Sequence, residues 1–286
     1  MEIRFIPQVK QTIWKRKAAL NFILGGAGAG FYLSHTLASM LIKEDSGVRL
    51  VVQPEWLAIL LVSAGLLSVA LEAGRPWRAR YILSRLSSSW MSREALLAAV
   101  FMLLCILQWQ RPHAALQVLC AACAVGFMAA QGFLLYASRA VPAWNLAVLP
   151  PLLVVSSFYA GCGLNLINHS VSGAVRTMLP LAALIAGIGD WGIWRIYLRS
   201  VEWVQIRDPD HFPSQERLSG SEENPVHLMP LGLTGLCLLA ASFTEAPFLF
   251  SFLAAVAGVG IFLSSSLQKY RILSELGNQR EIRIHC

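Results

Sequence analysis

Charged side chains are scarce in this chain. Of its 286 residues only 14% are Asp, Glu, Lys or Arg, whereas 56% are hydrophobic; an ordinary soluble domain carries about 25% charged residues. This shortage excludes a soluble globular protein. The apolar residues form runs of membrane-spanning length, and they predict an all-α, polytopic membrane protein whose apolar side chains face lipid and neighbouring helices.

Motifs for catalysis and metal binding are also missing. The sequence holds no catalytic triad, phosphate-binding loop or metal cluster for substrate chemistry, so we expect a non-catalytic subunit. Cys120 and Cys123 form a lone CxxC inside an apolar run, where packing is favoured over an iron–sulfur or zinc site. A b-type haem needs two facing histidines. Only His35 lies well inside a span, so neither haem nor metal is expected in this subunit.

Eight apolar segments alternate with polar ones, which predicts a single membrane-anchor domain over residues 1–286. The predicted spans are residues 18–42, 56–71, 94–109, 114–137, 146–166, 175–197, 226–243 and 247–267. The first span contains a glycine-rich run at 25–30. We interpret it as a site of close helix packing rather than a nucleotide loop, because no strand precedes it. Residues 268–286 are predicted to form a polar tail.

Lysine and arginine predict the orientation in the membrane. The formal net charge is +7, but the basic residues lie between apolar runs without a basic and aromatic face, so nucleic acid is not a predicted partner. With a cytoplasmic amino terminus, the inner segments hold nineteen Lys and Arg residues and the outer segments four. The positive-inside rule therefore places both termini and the longest polar loop, 198–225, in the cytoplasm. Pro142 and Trp144 are predicted at the membrane surface.

The arginine-rich segment between the second and third spans is the main candidate for function. It carries five arginines and ends at Glu94, which enters the third span. Glu72 closes the second span at the same level, and Asp190 lies about five residues from Arg195, or roughly 7 Å along a helix. Three carboxylates are therefore expected near one membrane face, where a charge is costly unless it is needed.

Two interpretations of these carboxylates remain open. In the first, each pairs with a nearby arginine and fixes a helix end, which suits Glu72 and Asp190 as well as the second does. In the second they serve quinone chemistry, which moves two protons and needs a titratable group within hydrogen-bond reach. Glu94 favours this second interpretation. His35 is interpreted as a hydrogen-bonding group between helices, with proton transfer on the outer side as the alternative.

Three short motifs carry a family resemblance. The Gly74-Arg75-Pro76 turn, the Ser92-Arg93-Glu94 start of the third span and the Val141-Pro142-Ala143-Trp144 turn, within eight spans, resemble the membrane-anchor subunit of dimethyl sulfoxide reductase. That family is more distantly related to the anchors of polysulfide reductase type. The overall plan covers nearly the whole chain, and the motifs lie within residues 70–146.

The resemblance implies a multi-pass subunit of the bacterial inner membrane without haem or metal. Such a subunit holds a four-cluster iron–sulfur subunit and a molybdopterin catalytic subunit, and it exchanges electrons with menaquinone or ubiquinone. The family glutamate that matches Glu94 belongs to the quinone site; the best-known members have histidine where this chain has Glu72. The expected quinone-binding and proton-transfer residues are Glu94, Glu72, Arg75, Arg78, Asp190 and His35, and the expected docking residues are Arg80, Arg85 and Arg93.

Orientation and rival functions complete the expectations. If the carboxylates are cytoplasmic, the iron–sulfur partner docks on that face, as in the sulfite-oxidising complexes among the family's relatives. One rival is a small-molecule transporter, against which stands the absence of a detectable internal repeat. The other rival is a purely structural anchor without a quinone site, which inhibition by quinone analogues would exclude.

Overall fold

The computed structural model describes residues 3–6, 16–41, 49–50, 52–71, 81, 84–170, 175–207, 228–243, 247–277 and 282–285. Eight helices follow one another within these ranges. Helix α1 consists of Arg16–Leu20, a π-helical turn at Asn21–Gly25, and Gly26–Leu41. The others are α2 (Pro54–Ala70), α3 (Trp90–Gln110), α4 (Ala114–Tyr136), α5 (Leu149–Asn168), α6 (Val175–Arg207), α7 (Leu228–Phe243) and α8 (Pro247–Ser274).

Two pairs of short antiparallel strands accompany the helices. Strand β1 (Ile3–Ile6) pairs with β4 (Ile282–His285), and β2 (Arg49–Leu50) pairs with β3 (His169–Ser170). The second pair joins the segment before α2 to the end of α5. The side chain of Asn168 strengthens this junction, because it accepts a hydrogen bond from the Val52 N–H at 2.8 Å and donates to the Val52 carbonyl at 2.9 Å.

The prediction of an all-α membrane protein is confirmed, and each predicted span has a helix at its position. Among the described residues, five helical stretches are long and apolar enough to cross a membrane. They are Trp90–Gln110, Ala114–Tyr136, Leu149–Asn168, Thr177–Val204 and Phe248–Ser274. Helix α2 is apolar but has only 17 residues. That all eight helices cross, and that the termini are cytoplasmic, stay predictions.

Small residues bring the helices of the core close together. A side chain at Gly30 of α1 would collide with the carbonyl of Ser157, and one at Gly161 of α5 would collide with the backbone of Gly30. Close packing at the glycine-rich run is thus confirmed. On the opposite side of α5, a Cβ at Gly163 would lie 2.8 Å from the carbonyl oxygen of Gly258 in α8. Helix α5 is therefore the centre of the bundle.

Two details differ from the sequence predictions. Helix α6 continues to Arg207, so the first ten residues of the predicted loop at 198–225 are helical. Helix α8 continues to Ser274 and so contains Gln268 and Lys269, which were predicted in a polar tail. Trp144 is 3% exposed, and its Nε1 donates a 2.8 Å hydrogen bond to the carbonyl of Ile272; its location at the membrane surface stays a prediction. Tyr197 of α6 donates to the neighbouring Ala143 carbonyl at 3.1 Å. The turn therefore locks α6 and α8 to the bundle.

Candidate functional site

The π-helical turn of α1 is the backbone feature on which the candidate site is built. A π turn interrupts the regular hydrogen-bond pattern of an α-helix and is frequently found at functional sites. Here two consecutive carbonyl groups accept hydrogen bonds from side chains of other helices. The carbonyl of Asn21 accepts from Nε2 of Gln131 at 3.3 Å, and the carbonyl of Phe22 accepts from Nζ of Lys269 at 3.1 Å. The turn thus ties α1 to α4 and to α8.

Glu94 lies on one side of this turn. Its side chain is 4% exposed, and its Oε1 accepts hydrogen bonds from Nδ2 of Asn21 at 2.8 Å and Nε2 of Gln131 at 3.2 Å. Each of these three residues lies four or five positions from the end of its helix, which corresponds to about 6–8 Å of depth. A carboxyl group is therefore held inside the bundle, by neutral amides, within reach of one end.

Two acceptor atoms, on Glu94 and Asn21, lack a hydrogen-bond partner in the ranges that the structure describes. Within the described part of the chain, Oε2 of Glu94 receives no hydrogen bond. The Oδ1 atom of Asn21 is buried and has no hydrogen-bond partner among the same residues. A buried polar atom without a partner costs about 1–3 kcal/mol. The pair of open acceptors therefore suits a ligand with hydroxyl donors.

Lys269 lies on the other side of the π turn. Its side chain is 1% exposed, and Nζ also donates to Oγ of Ser157 on α5 at 2.9 Å. A Cβ on Gly26 would lie 2.8 Å from Nζ of Lys269 and 3.3 Å from Oε1 of Gln131. The lysine and the glutamine are thus within about 6 Å of each other, on either side of a glycine that leaves room for both.

Asp190 completes a second buried group. Its side chain is 3% exposed, and the ammonium of Lys269 lies within electrostatic range of its carboxylate. Gln268, which precedes Lys269 on α8, is held by Ser156, whose hydroxyl donates to Oε1 at 2.7 Å. Of the three carboxylates predicted near one membrane face, Glu94 and Asp190 lie within the described residues, and their common position at that face stays a prediction.

The other predicted site residues are placed differently. His35 lies 14 residues after Asn21 on α1, or about 21 Å along the axis, so the structure separates it from Glu94. Arg93 uses Nε and a terminal nitrogen to donate to the carbonyls of Leu86 at 2.9 Å and Ser87 at 2.6 Å, and its guanidinium lies 4.3 Å from the centre of the Trp90 ring. It therefore holds the turn before α3. Arg85, in the same turn, is exposed, and so is Tyr81.

Four members of the predicted site lie outside the described residues. They are Glu72, Arg75, Arg78 and Arg80. Among the residues that are described, no group of three or more His, Cys, Asp and Glu side chains could hold a metal ion.

Sequence reasoning missed Asn21, Gln131 and Lys269. The two amides give a weaker signal in the sequence than an ionisable group does, although any polar side chain at membrane depth needs a partner. Lys269 was assigned to the tail because the apolar run ends at Leu267. The available signal was the continuation of a helix-forming sequence past that leucine, from Gln268 to Ser274.

Together the fold and the site define a multi-pass helical membrane protein with a buried carboxyl group near one end of its bundle. Comparison with protein families agrees: the family described as Polysulphide reductase, NrfD matches residues 6–189. The chain belongs to this polysulphide reductase NrfD family. A search of curated proteins found no match.

Family membership indicates a membrane subunit of a quinone-linked oxidoreductase complex. The expected relation to polysulfide reductase anchors is confirmed; the narrower resemblance to the dimethyl sulfoxide reductase anchor stays a prediction. The matched residues include Asn21, Glu94 and Gln131, but end one residue before Asp190 and well before Lys269.

Proposed function

We propose that this chain anchors a molybdopterin and iron–sulfur oxidoreductase complex in the bacterial inner membrane and exchanges electrons between the quinone pool and the iron–sulfur subunit. The observation that carries the proposal is the Glu94 carboxyl group, buried beside the π turn and bonded to Asn21 and Gln131. It lies inside the region that matches the family.

The residues at this site fit a quinol headgroup. Two acceptor atoms, Oε2 of Glu94 and Oδ1 of Asn21, have no partner in the described part of the chain, and a quinol offers two hydroxyl donors. When bound, a quinol supplies two electrons and two protons. Glu94 would accept one of these protons at Oε2 and the other would leave to the water at this end of the bundle, while both electrons would go to the iron–sulfur subunit. The N–H groups of Asn21 and Gln131 stabilise the negative charge on Oε1 before that transfer.

The end of the bundle suits proton release and docking. Glu94 is only four residues after the start of α3 at Trp90, so about one turn of helix separates it from that end. In this proposal Glu72, Arg75 and Arg78 complete the headgroup site from the α2–α3 connection, and quinone is menaquinone or ubiquinone. Arg80, Arg85 and Arg93, with the segment 198–225 whose first ten residues continue α6, form the docking face for the iron–sulfur subunit.

Replacing the carboxyl group by an amide tests the proposal. Glu94→Gln should leave the complex assembled and lower quinol-linked kcat by about a hundredfold or more, because general acid–base catalysis contributes about 10²–10⁴-fold. Turnover with an artificial reductant that feeds the catalytic subunit directly should not change. The matched control is Glu275→Gln, which alters an exposed carboxylate paired with Arg271 at 3.0 Å and should behave as the unmodified complex.

The rival functions predict other results. Normal quinol turnover in an assembled Glu94→Gln complex would remove Glu94 from the site. If quinone analogues do not inhibit the complex and no quinone is extracted from it, the chain is a structural anchor. Uptake of a solute by the isolated protein, without any partner, would identify a transporter.

A further inference from the structure

Lys269 is a buried cation that the proposed function does not use. It lies on α8, eighty residues beyond the end of the family match at residue 189. Its ammonium group donates to the Phe22 carbonyl at 3.1 Å and to the Ser157 hydroxyl at 2.9 Å. Both partners are neutral, and both belong to the helices that form the centre of the bundle. The lysine thus connects α8 to α1 and α5 at the level of the π turn.

The two hydrogen bonds to the π turn come from opposite sides. Gln131 binds the Asn21 carbonyl at 3.3 Å from α4, and Lys269 binds the next carbonyl, that of Phe22, from α8. The side chain of Asn21, in the same turn, donates to Glu94 at 2.8 Å. Since the turn carries both contacts, the position of Phe22 fixes the position of the Asn21 amide. Lys269 therefore influences the position of Glu94 through the backbone between Phe22 and Asn21.

The surroundings of Lys269 provide space for its side chain and a carboxylate nearby. Gly26 leaves the space that its side chain occupies, because a Cβ there would lie 2.8 Å from Nζ and 2.5 Å from Oγ of Ser157. The carboxylate of Asp190 on α6 is 3% exposed and lies within electrostatic range of the ammonium. Oδ1 of Asp190 has no hydrogen-bond partner among the described residues. Asp190 thus serves the lysine electrostatically.

We propose that Lys269, with Asp190 as its counter-charge, is a positioning residue that holds the π turn of α1 and thereby orients Asn21 and Glu94 toward the quinone headgroup. This inference rests on the proposed function. It assigns the carboxyl-terminal part of the chain, beyond the family match, a direct influence on the site formed by the amino-terminal part.

The test compares three variants in the assembled complex: Lys269→Met, Asp190→Asn, and the double variant. Three quantities are measured: the KM for quinol, the quinone extracted per complex, and the thermal stability. Lys269→Met should raise the KM about tenfold, since it removes hydrogen bonds from a charged donor, and should lower both bound quinone and stability. The double variant should regain stability, because no unpaired charge remains, yet keep the high KM and the low quinone content.

Lys17→Met is the matched control. It removes an exposed lysine that donates to the Leu71 carbonyl at 3.4 Å, one turn before the π turn, and should leave the KM and bound quinone unchanged. A double variant with normal KM and normal quinone content would overturn the proposal, since Lys269 would then only neutralise Asp190. Failure of the double variant to assemble would also overturn it, because the lysine would then serve the fold as a whole.

Glu94→Gln, measured in parallel, separates this inference from the function beneath it. If Glu94→Gln slows turnover while Lys269→Met leaves the KM and the quinone content unchanged, only the inference fails. If neither variant has any effect on quinol turnover or bound quinone, the proposed function fails as well.

Discussion

Two carboxyl groups of the described residues are buried in this bundle, and the groups near them differ. Glu94, in the part of the chain that matches the family, is bonded by the neutral amides of Asn21 and Gln131. Asp190, just outside that part, lies within electrostatic range of the ammonium of Lys269. Neutral donors hold Glu94, whereas the group near Asp190 is itself ionisable. This contrast separates the site proposed for quinol from the group proposed to position it.

The strongest test of this contrast changes the partners of the carboxyl groups. Asn21→Leu removes the 2.8 Å donor to Glu94 and the open acceptor Oδ1, so we expect quinol-linked turnover to fall about ten- to hundredfold. Ser157→Ala removes only one hydroxyl from Lys269 and should lower turnover less than about threefold. Steady-state assays of the two purified complexes provide the comparison. Equal losses would show that the two groups form one functional site.

A methyl group placed at Gly26, between Lys269 and Gln131, should have an intermediate effect on quinol turnover. The Cβ of Gly26→Ala would lie 2.5 Å from Oγ of Ser157 and 2.8 Å from Nζ of Lys269. We expect a severalfold rise in the KM for quinol and a stability loss of about 1–3 kcal/mol, because the site must expand.

The matched control is Gly192→Ala on α6, where nothing lies within 4 Å of the added Cβ. This change should leave the KM unaltered and stabilise the helix by up to about 1 kcal/mol. Thermal unfolding and quinol titration of the two variants measure both effects. A Gly26→Ala complex that matches Gly192→Ala would mean that the space at Gly26 has no functional role.

The smallest effect is expected at the turn before α3. Arg93→Ala removes two hydrogen bonds to the carbonyls of Leu86 and Ser87 and the contact with Trp90, so the turn should become more sensitive to limited proteolysis, with turnover reduced less than about threefold. Arg85→Ala, which changes an exposed residue of the same turn, is the comparison variant. Loss of the iron–sulfur subunit from either complex would assign that arginine to docking instead.

The order of the helices was predictable from the sequence because apolar runs are long and polar gaps are short. Glu94 was predictable for a related reason, since a carboxylate at the start of an apolar run is conspicuous. The ends of α6 and α8 were not, because polar residues such as Lys269 can continue a helix when the bundle supplies their partners.

The π turn and its partners could not be predicted from the sequence. The turn depends on hydrogen bonds from Gln131 and Lys269 to consecutive carbonyls, and these donors are 110 and 247 residues from their acceptors along the chain. Local propensity carries no information about such contacts. The burial of Trp144 was missed for the same reason, since its acceptor belongs to Ile272.

The pairing of β1 with β4 limits how the chain can be threaded through a bilayer. These strands, Ile3–Ile6 and Ile282–His285, run antiparallel in register, and open strand edges do not occur in the hydrocarbon layer. Both strands must therefore lie in the same aqueous compartment. A path that leaves a compartment and returns to it crosses the barrier an even number of times. Impermeant labels on cysteines introduced at Ile3 and Ile284 should consequently react from the same side.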